Sequence, residues 1–284
     1  MRDRSNSNGS LPVQDASNLG SSMSENRPLS ALFGAAIVLG FALSGFFDGV
    51  LLHQILQWHH LLSLVRADAL FSLRAQILAD GLFHALMYLV AVAGLILLWR
   101  ARQALAARNG SRRLWSGVLV GFGGWNVVDV GLFHWILGIH RIRLDVPNPL
   151  AWDMGWVIGL GLFPIALGLI LTRRHPRLPP PPLHSVVALL VLLGAAGLWN
   201  LRTPPPGADT LAVFAAPQEV LPAVAALDAR LIQTDASGTV AVLRLSDAAP
   251  WRLYRHGALL VQNTGPAGCF NWSKRLPSDA ARGS

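Results

Sequence analysis

The sequence contains little cysteine, methionine or charge. Its 284 residues include one cysteine, Cys269, and four methionines, and only 13% of the residues are charged. A single cysteine excludes an intrachain disulfide and any metal site built from several thiolates. Four scattered methionines argue against a thioether site for Cu(I). Soluble domains carry about 25% charged residues, so this low content, with 52% hydrophobic residues, indicates a membrane protein.

The charges that are present follow a pattern. The net charge of +8 comes almost wholly from arginine, and the arginines cluster in short segments beside apolar runs. This distribution is typical of cytoplasmic loops in membrane proteins, and we do not interpret it as nucleic-acid binding. The sequence has no phosphate-binding loop, dinucleotide fingerprint, zincin motif or nucleophile elbow. We therefore do not expect an enzyme.

Five apolar segments are long enough to cross a bilayer, which takes about 20 residues. They are residues 29–52, 82–99, 114–137, 152–172 and 183–201. Arginines lie before the first segment, between the second and third, and between the fourth and fifth. Positively charged loops stay in the cytoplasm. We therefore predict a multi-pass protein of the bacterial inner membrane, with its N-terminus in the cytoplasm and its C-terminus in the periplasm.

The remaining segments are more polar. Residues 1–28 are rich in Ser and Asn and are predicted to be a disordered cytoplasmic tail. Met23 within it resembles a natural translation start. Residues 173–182 form an Arg- and Pro-rich cytoplasmic connection. Residues 202–284 are predicted to be an extracytoplasmic β-rich module. Its candidate strands are residues 229–233, 239–245, 251–254 and 258–262.

A pattern of aspartate and histidine occurs twice in the apolar region. Each of its members recurs 81 residues later: Asp48 and Asp129, His53 and His134, His59 and His140, and upstream Gly40 and Gly121. The second and fourth spans correspond as well, because Asp80 precedes one and Asp153 precedes the other. We predict that residues 29–172 are a tandem duplication of a two-helix hairpin. Both copies run in the same direction, so they would be related by an axis along the membrane normal.

The repeated residues lie near the predicted outer surface and are candidate metal ligands. One straight helix cannot bring them together, because Asp48 and His59 would stand about 16 Å apart along its axis. We therefore expect a site between helices, with His53, His84 and His134 as direct ligands. An outer rim for metal capture would consist of His59, His60 and His140. The carboxylates that orient the rings would be those of Asp48, Asp80 and Asp129.

Three interpretations of these residues remain open. Three imidazoles with a carboxylate suit a transition metal, copper or zinc. Two imidazoles facing each other, His53 and His134, would instead suit the axial positions of a haem b. Polar pairs between helices are also a common structural device in membranes, and the protein would then be a non-catalytic scaffold that contacts a partner through its outer module. The first is favoured, because ionisable residues inside a membrane are functional by default. Arg141 and Arg143 are interpreted as part of a solvated loop.

The motif FDGVLLHQILQWHH at residues 47–60, with DGLFH at 80–84 and GIH at 138–140, resembles the domain of unknown function 2243 family of bacterial predicted membrane proteins. The resemblance covers roughly residues 29–172, so the fifth helix and the outer module are additions to it. It implies a second histidine after His140, where this chain has Arg141. It also implies an association with assembly factors for haem-copper oxidases, and hence oxidase subunits or assembly factors as partners.

Overall fold

The computed structural model describes residues 16–56, 58–65, 72–107, 109–144, 146–173, 183–201, 209–246 and 249–263. Within these residues, four helical segments are long and apolar enough to cross a membrane. They are Pro28–Ile55, Leu73–Arg100, Gly110–Ile136 and Pro149–Arg173. They confirm four of the five predicted spans and the multi-pass architecture. Most of the predicted cytoplasmic connection and Cys269 lie outside the described residues.

Helix α1, Ala16–Asp48, continues into a π-helical turn, Gly49–Ile55. It begins within the segment expected to be a disordered tail, so that expectation is wrong for residues 16–28, while residues 1–15 lie outside the described part of the chain. The physical reason is that nucleation is the costly step of helix formation. A helix already formed by the apolar residues from Leu29 onward extends upstream at little further cost.

Helix α2, Leu73–Arg100, begins nine residues before the predicted span because Ser72 caps it: the Ser72 hydroxyl accepts a hydrogen bond from the Ala75 amide at 3.2 Å. Helix α3, Gly110–Val128, runs into a second π-helical turn, Asp129–Ile136. The fourth span combines helix α4, a π-helical turn and helix α5. Their bounds are Pro149–Trp156, Val157–Leu162 and Phe163–Arg173.

Helices α1 and α3 pack closely along their length. A Cβ atom on Gly40 would collide with the backbone of Val118, and one on Gly121 would collide with the backbone of Ile37. Gly40 and Gly121 are 81 positions apart in the sequence, and so are the residues they contact, Ile37 and Val118. The same close contact is therefore made twice, once in each direction across the helix pair.

Helix α6, Leu183–Leu201, packs against α1 and α2. Its residues Leu189 and Leu193 are buried in the same apolar core as α1 and α2, and the Tyr88 hydroxyl donates a hydrogen bond to the Gly197 carbonyl at 2.5 Å. The apolar part of α6, Val186–Trp199, is shorter than the four spans. The fifth crossing therefore stays a prediction.

The C-terminal module is a four-stranded antiparallel sheet in the order β2-β3-β1-β4. Its strands are β1 Asp209–Phe214, β2 Ala229–Thr234, β3 Val240–Leu245 and β4 Ala258–Asn263, and helix α7, Val220–Ala226, follows β1. The predicted hairpin and the predicted last strand are confirmed. The strand predicted at residues 251–254 is wrong, because Pro250 opens a 3-10 helix, Pro250–His256. Proline fixes φ and lacks the amide donor that a strand needs.

Both faces of this sheet are covered. One face packs against α7 through an apolar cluster that includes Phe214, Val220 and Leu243. The other face packs on the beginning of α2, where Ile77 meets Val213 and other residues of β1 and β3. The module therefore lies at the end of α2 that carries Asp80.

Candidate metal site

The two π-helical turns let the chain fold back on itself. After the first turn, the Leu56 amide donates to the Leu51 carbonyl at 2.8 Å and the Trp58 amide to the Leu52 carbonyl at 3.0 Å. The residues 81 positions later form the same two bonds at the same lengths, from Leu137 to Leu132 and from Ile139 to Phe133. The straight helix assumed from the sequence is therefore wrong. After each turn the chain reverses direction. This places His59 beside His53 and His140 beside His134, in each case the histidine six residues earlier.

The first triad consists of Asp48, His53 and His59. One ligand atom from each residue lies within 4.8 Å of the other two. The Nε2 atoms of His53 and His59 are 3.1 Å apart, and His59 Nε2 lies 4.0 Å from Asp48 Oδ1. A tetrahedral ion with bonds of about 2.0–2.2 Å separates its ligands by about 3.3–3.6 Å. The triad thus needs only small shifts to hold an ion.

The second triad consists of Asp129, His134 and His140, and its ligand atoms also lie within 4.8 Å of one another. Asp129 Oδ2 is 3.1 Å from His134 Nε2, and Asp129 Oδ1 is 3.1 Å from His140 Nε2. Both triads are buried: none of the six residues is more than 4% exposed. Asp48 Oδ1 and His134 Nε2 make no well-aligned hydrogen bond with any described residue. Such buried polar atoms are costly unless a ligand satisfies them.

Two further carboxylates orient one histidine of each triad. Asp80 Oδ1 lies 3.2 Å from His53 Nδ1, and Asp153 Oδ1 lies 2.9 Å from His134 Nδ1. A carboxylate on Nδ1 fixes the ring, leaves the lone pair on Nε2 and raises its basicity as a metal ligand. Asp80 is therefore placed to orient the ring of His53, and Asp153 is placed in the same way to orient the ring of His134. Asp153 was missed, although its alignment with Asp80 in the sequence is the signal that identifies it.

The other two histidines of the triads are each held by a backbone carbonyl from the segment that carries the other triad. His59 Nδ1 donates to the Ile142 carbonyl at 2.9 Å, and His140 Nδ1 donates to the Leu61 carbonyl at 3.1 Å. Leu61 and Ile142 are also 81 residues apart. Because a carbonyl can only accept, both rings carry a proton on Nδ1. Their Nε2 atoms point into the site, that of His59 towards His53 Nε2 and that of His140 towards Asp129 Oδ1, each at 3.1 Å. Burial lowers the pKa of His59 well below its usual range and also lowers the pKa of His140. Both rings are therefore neutral at neutral pH.

Arg141 occupies the position equivalent to His60. The His60 Nδ1 atom lies 2.5 Å from Asp80 Oδ2, and an Arg141 guanidinium nitrogen donates to Asp153 Oδ2 at 2.7 Å. Arg141 is therefore part of the site, and its assignment to a solvated loop is wrong. The sequence signal for this was the offset of 81 between His60 and Arg141.

Several predicted roles change in the structure. His59 and His140, expected at an outer rim, are buried members of the triads, because the chain folds back after each π turn. Asp48 and Asp129, expected to orient rings, contribute oxygens beside the histidine nitrogens. His84, expected as a direct ligand, belongs to neither triad. Its ring centre is 6.4 Å from that of His53, and its Nε2 atom lies against Gly49, where a Cβ atom would overlap it.

The two triads adjoin. The ring centres of His53 and His59 are 4.7 Å apart, those of His59 and His140 are 4.8 Å apart, and those of His140 and His134 are 4.5 Å apart. The rings of His59 and His140 are nearly parallel, with 16° between their planes. The four imidazoles therefore form one continuous row that links the two triads.

The cluster is also rich in buried negative charge. Its four carboxylates, Asp48, Asp80, Asp129 and Asp153, are at most 5% exposed. Among the described contacts of these carboxylates, only that of Arg141 is with a side chain that is always charged. A buried charge costs several kcal/mol unless it is paired. Metal ions or protons on the imidazoles must therefore supply the remaining positive charge.

Comparison with known proteins agrees with this architecture. Neither a search of curated proteins nor a search of solved structures finds a match. Residues 35–175, which include all four carboxylates and all the histidines of the row, match the model of a family described as "Predicted membrane protein (DUF2243)". The resemblance seen in the sequence is thereby confirmed, and the chain contains a membrane domain of the DUF2243 family.

Proposed function

We propose that this protein binds a transition metal, copper or zinc, at the two triads. One observation carries the proposal: four buried histidines have their Nδ1 atoms against fixed acceptors, and their Nε2 atoms face one another and the carboxylates of Asp48 and Asp129. This is the arrangement by which proteins fix the tautomer of metal-binding histidines. A purely structural role for the polar residues gives no reason for four rings to be oriented in the same sense.

The donor set selects among metals. Imidazole nitrogens with one carboxylate suit zinc and Cu(II), whereas magnesium and calcium prefer sites made of oxygen. Each triad offers three ligands, which leaves a tetrahedral ion one position for water or another small ligand. Within the described part of the chain, no cysteine or methionine belongs to either triad, which argues against a site specialised for Cu(I).

The geometry gives less support to the haem b alternative. Axial ligation by His53 and His134 requires a flat macrocycle between the two rings. The rings of His59 and His140 stand between them in the row, and each contacts its neighbours at centre distances below 5 Å. A haem would have to displace both rings and break their bonds to Ile142 and Leu61.

Residues 29–172 are, in this proposal, a tandem duplication of a helical hairpin. The support is the recurrence at an offset of 81 of the π turns, of the glycine contacts between α1 and α3, and of the crossed bonds of His59 and His140. The reciprocal form of these contacts is what a two-fold axis between the copies would produce.

The arginine distribution supports an orientation with the N-terminus in the cytoplasm and the site at the periplasmic side of the inner membrane. In this orientation α6 is a fifth crossing that leads to a periplasmic module. The packing of the sheet on the beginning of α2 agrees with this orientation, because it puts the module at the same end as the site. Metal handling, or the assembly of haem-copper oxidases with oxidase subunits or assembly factors as partners, is the biological role that the family resemblance favours.

The test uses the full-length protein purified in detergent, stripped with a chelator, reloaded with Cu²⁺ or Zn²⁺ and freed of excess ion. Elemental analysis and a visible spectrum are then measured. We expect stoichiometric metal in the wild type and in His184→Ala, a histidine exposed on α6, and loss of metal in His53→Ala/His134→Ala. Equal metal content in the double variant and the wild type would refute the proposal, and a Soret band would favour haem.

The scaffold alternative makes the opposite prediction. It expects the His53→Ala/His134→Ala variant to keep full function in the cell and a chain that ends before residue 205 to lose it. A complementation assay that compares these two changes separates a metal-binding role from a partner-binding role.

A further inference from the structure

We infer that the site is dinuclear, with one ion in each triad, and that the first triad holds its ion more tightly than the second. This inference rests on the proposed function, because it requires that the triads bind metal at all. It concerns the number of ions and the order in which they bind, which the proposed function leaves open.

The ligand sets are the first argument for two ions. Each triad is complete by itself, with two imidazole nitrogens and one carboxylate within 4.8 Å of one another. Three protein ligands are the usual set for a zinc ion that keeps one open position. A single ion would leave the ligand set of one triad unused, with Asp48 Oδ1 or His134 Nε2 still lacking an aligned hydrogen bond, and such buried polar atoms are costly.

Charge is the second argument. The four buried carboxylates carry four negative charges, and the guanidinium of Arg141 offsets one of them. A single divalent ion leaves one negative charge in the buried cluster unless an imidazole also carries a second proton. Two divalent ions, together with one hydroxide at their open positions, make the cluster neutral. Neutral clusters avoid most of the desolvation cost that buried charges carry.

The unequal affinities follow from a difference in the partners of the two orienting carboxylates. The carboxylate of Asp80 faces two imidazoles, those of His53 and His60, whereas the carboxylate of Asp153 faces the imidazole of His134 and the guanidinium of Arg141. Arginine is always charged and forms strong charge-assisted bonds with carboxylates. It therefore withdraws electron density from Asp153 and adds positive charge beside the second triad. Both effects weaken the binding of a cation there.

Stoichiometry and magnetic coupling test the number of ions. We expect two Zn²⁺ ions per chain in the wild type and one in each single variant, His53→Ala and His134→Ala. Loaded with Cu²⁺, the wild type should give an EPR spectrum broadened by coupling between neighbouring ions. Each single variant should give the sharp spectrum of an isolated ion. His53→Gln and His134→Gln repeat the measurement with smaller changes in volume, and the wild-type count is decisive even if every variant unfolds.

The outcomes separate this inference from the proposed function. One ion in the wild type, lost in either single variant, overturns the dinuclear site but leaves metal binding intact. No ion in the wild type overturns both. Two ions with uncoupled spectra would place them in separate sites and would also overturn the inference.

Substitutions at Arg141 and His60, each to the residue at the other position, test whether the two triads bind metal with different affinities. In Arg141→His we expect the weaker of the two Zn²⁺ affinities to rise by about tenfold, the size of effect that changed partners of ligating histidines produce. In His60→Arg we expect the stronger affinity to fall by a similar factor. Arg143→His is the control, because Arg143 lies over the rings of Trp58 and Trp152, and it should leave the ratio of the affinities unchanged. Equal affinities in the wild type, or a ratio that neither swap changes, would overturn the inequality.

Discussion

Replacement of Asp80 by asparagine tests how the site is held together. Asp80 faces His53 Nδ1 at 3.2 Å and His60 Nδ1 at 2.5 Å, and it accepts a hydrogen bond from the Leu61 amide at 2.9 Å. Asparagine has nearly the same shape and can still accept from His53 and Leu61 through its carbonyl oxygen. What is lost is the negative charge that makes His53 a strong ligand.

The magnitude follows from that loss. Removal of the orienting partner of a metal-bound histidine lowers metal affinity by about 10- to 100-fold, which corresponds to about 1.4–2.8 kcal/mol. We expect the tighter Zn²⁺ affinity of Asp80→Asn to fall by this factor. The assay is competition for Zn²⁺ with a chromophoric chelator, on the full-length protein in detergent. Asp209→Asn, a change in the β module at a carboxylate that pairs with Arg244, serves as the control and should leave the affinity unchanged.

Zn²⁺ binding by Asp80→Asn as tight as that of the wild type, with unchanged circular dichroism and thermal unfolding, would refute an orienting role for Asp80. The contact of Asp80 with His53 Nδ1 would then have no influence on the metal affinity of His53 Nε2. The proposed role of Asp153 in the second triad would fall with it.

Three further predictions concern stability and exchange. Gly121→Ala should lower the free energy of unfolding by about 1–3 kcal/mol, measured by thermal denaturation in detergent, because its Cβ meets the backbone of Ile37. Gly124→Ala, whose Cβ meets nothing within 4 Å, should not. Asn126→Leu should cost about 2 kcal/mol, since it removes three hydrogen bonds to other helices, one of them donated by Trp156, each worth about 0.6 kcal/mol. Equal stability of either variant and the wild type would contradict the packing described here. Zn²⁺ at 100 times its Kd should stabilise the fold by about 2.7 kcal/mol, and a chelator should remove the ion slowly, because the triads are buried. Removal at the rate of simple mixing would contradict the burial.

The membrane spans and the identity of the main site residues could be predicted from the sequence. Hydropathy alone predicts the four long helices, because the bilayer requires a run of apolar residues of fixed minimum length. The offset of 81 singles out Asp48, His53 and His59 with their counterparts, because the same residue types recur there in the same order and spacing. Neither inference requires knowledge of a distant contact.

One strand of the sheet could not be predicted from the sequence. Strand β1 was missed, although it lies in the middle of the sheet. Five of its six residues are buried, because Leu211 and Val213 face α2 while Ala212 and Phe214 face the cluster around α7. A strand covered on both faces shows no alternation of polar and apolar residues. Its sequence therefore cannot be distinguished from that of any other short apolar segment.

The sequence by itself determined that this chain crosses a membrane and which aspartates and histidines repeat, since composition and periodicity are properties of the chain. Only the tertiary structure decided how those residues meet. A straight helix would hold Asp48 and His59 about 16 Å apart, yet a π turn and a backbone reversal bring their side chains to 4.0 Å. The partners that fix the rings, Asp153 and the carbonyls of Leu61 and Ile142, come from distant positions. Their roles arise from three-dimensional contacts between segments far apart in the sequence, which no local pattern encodes.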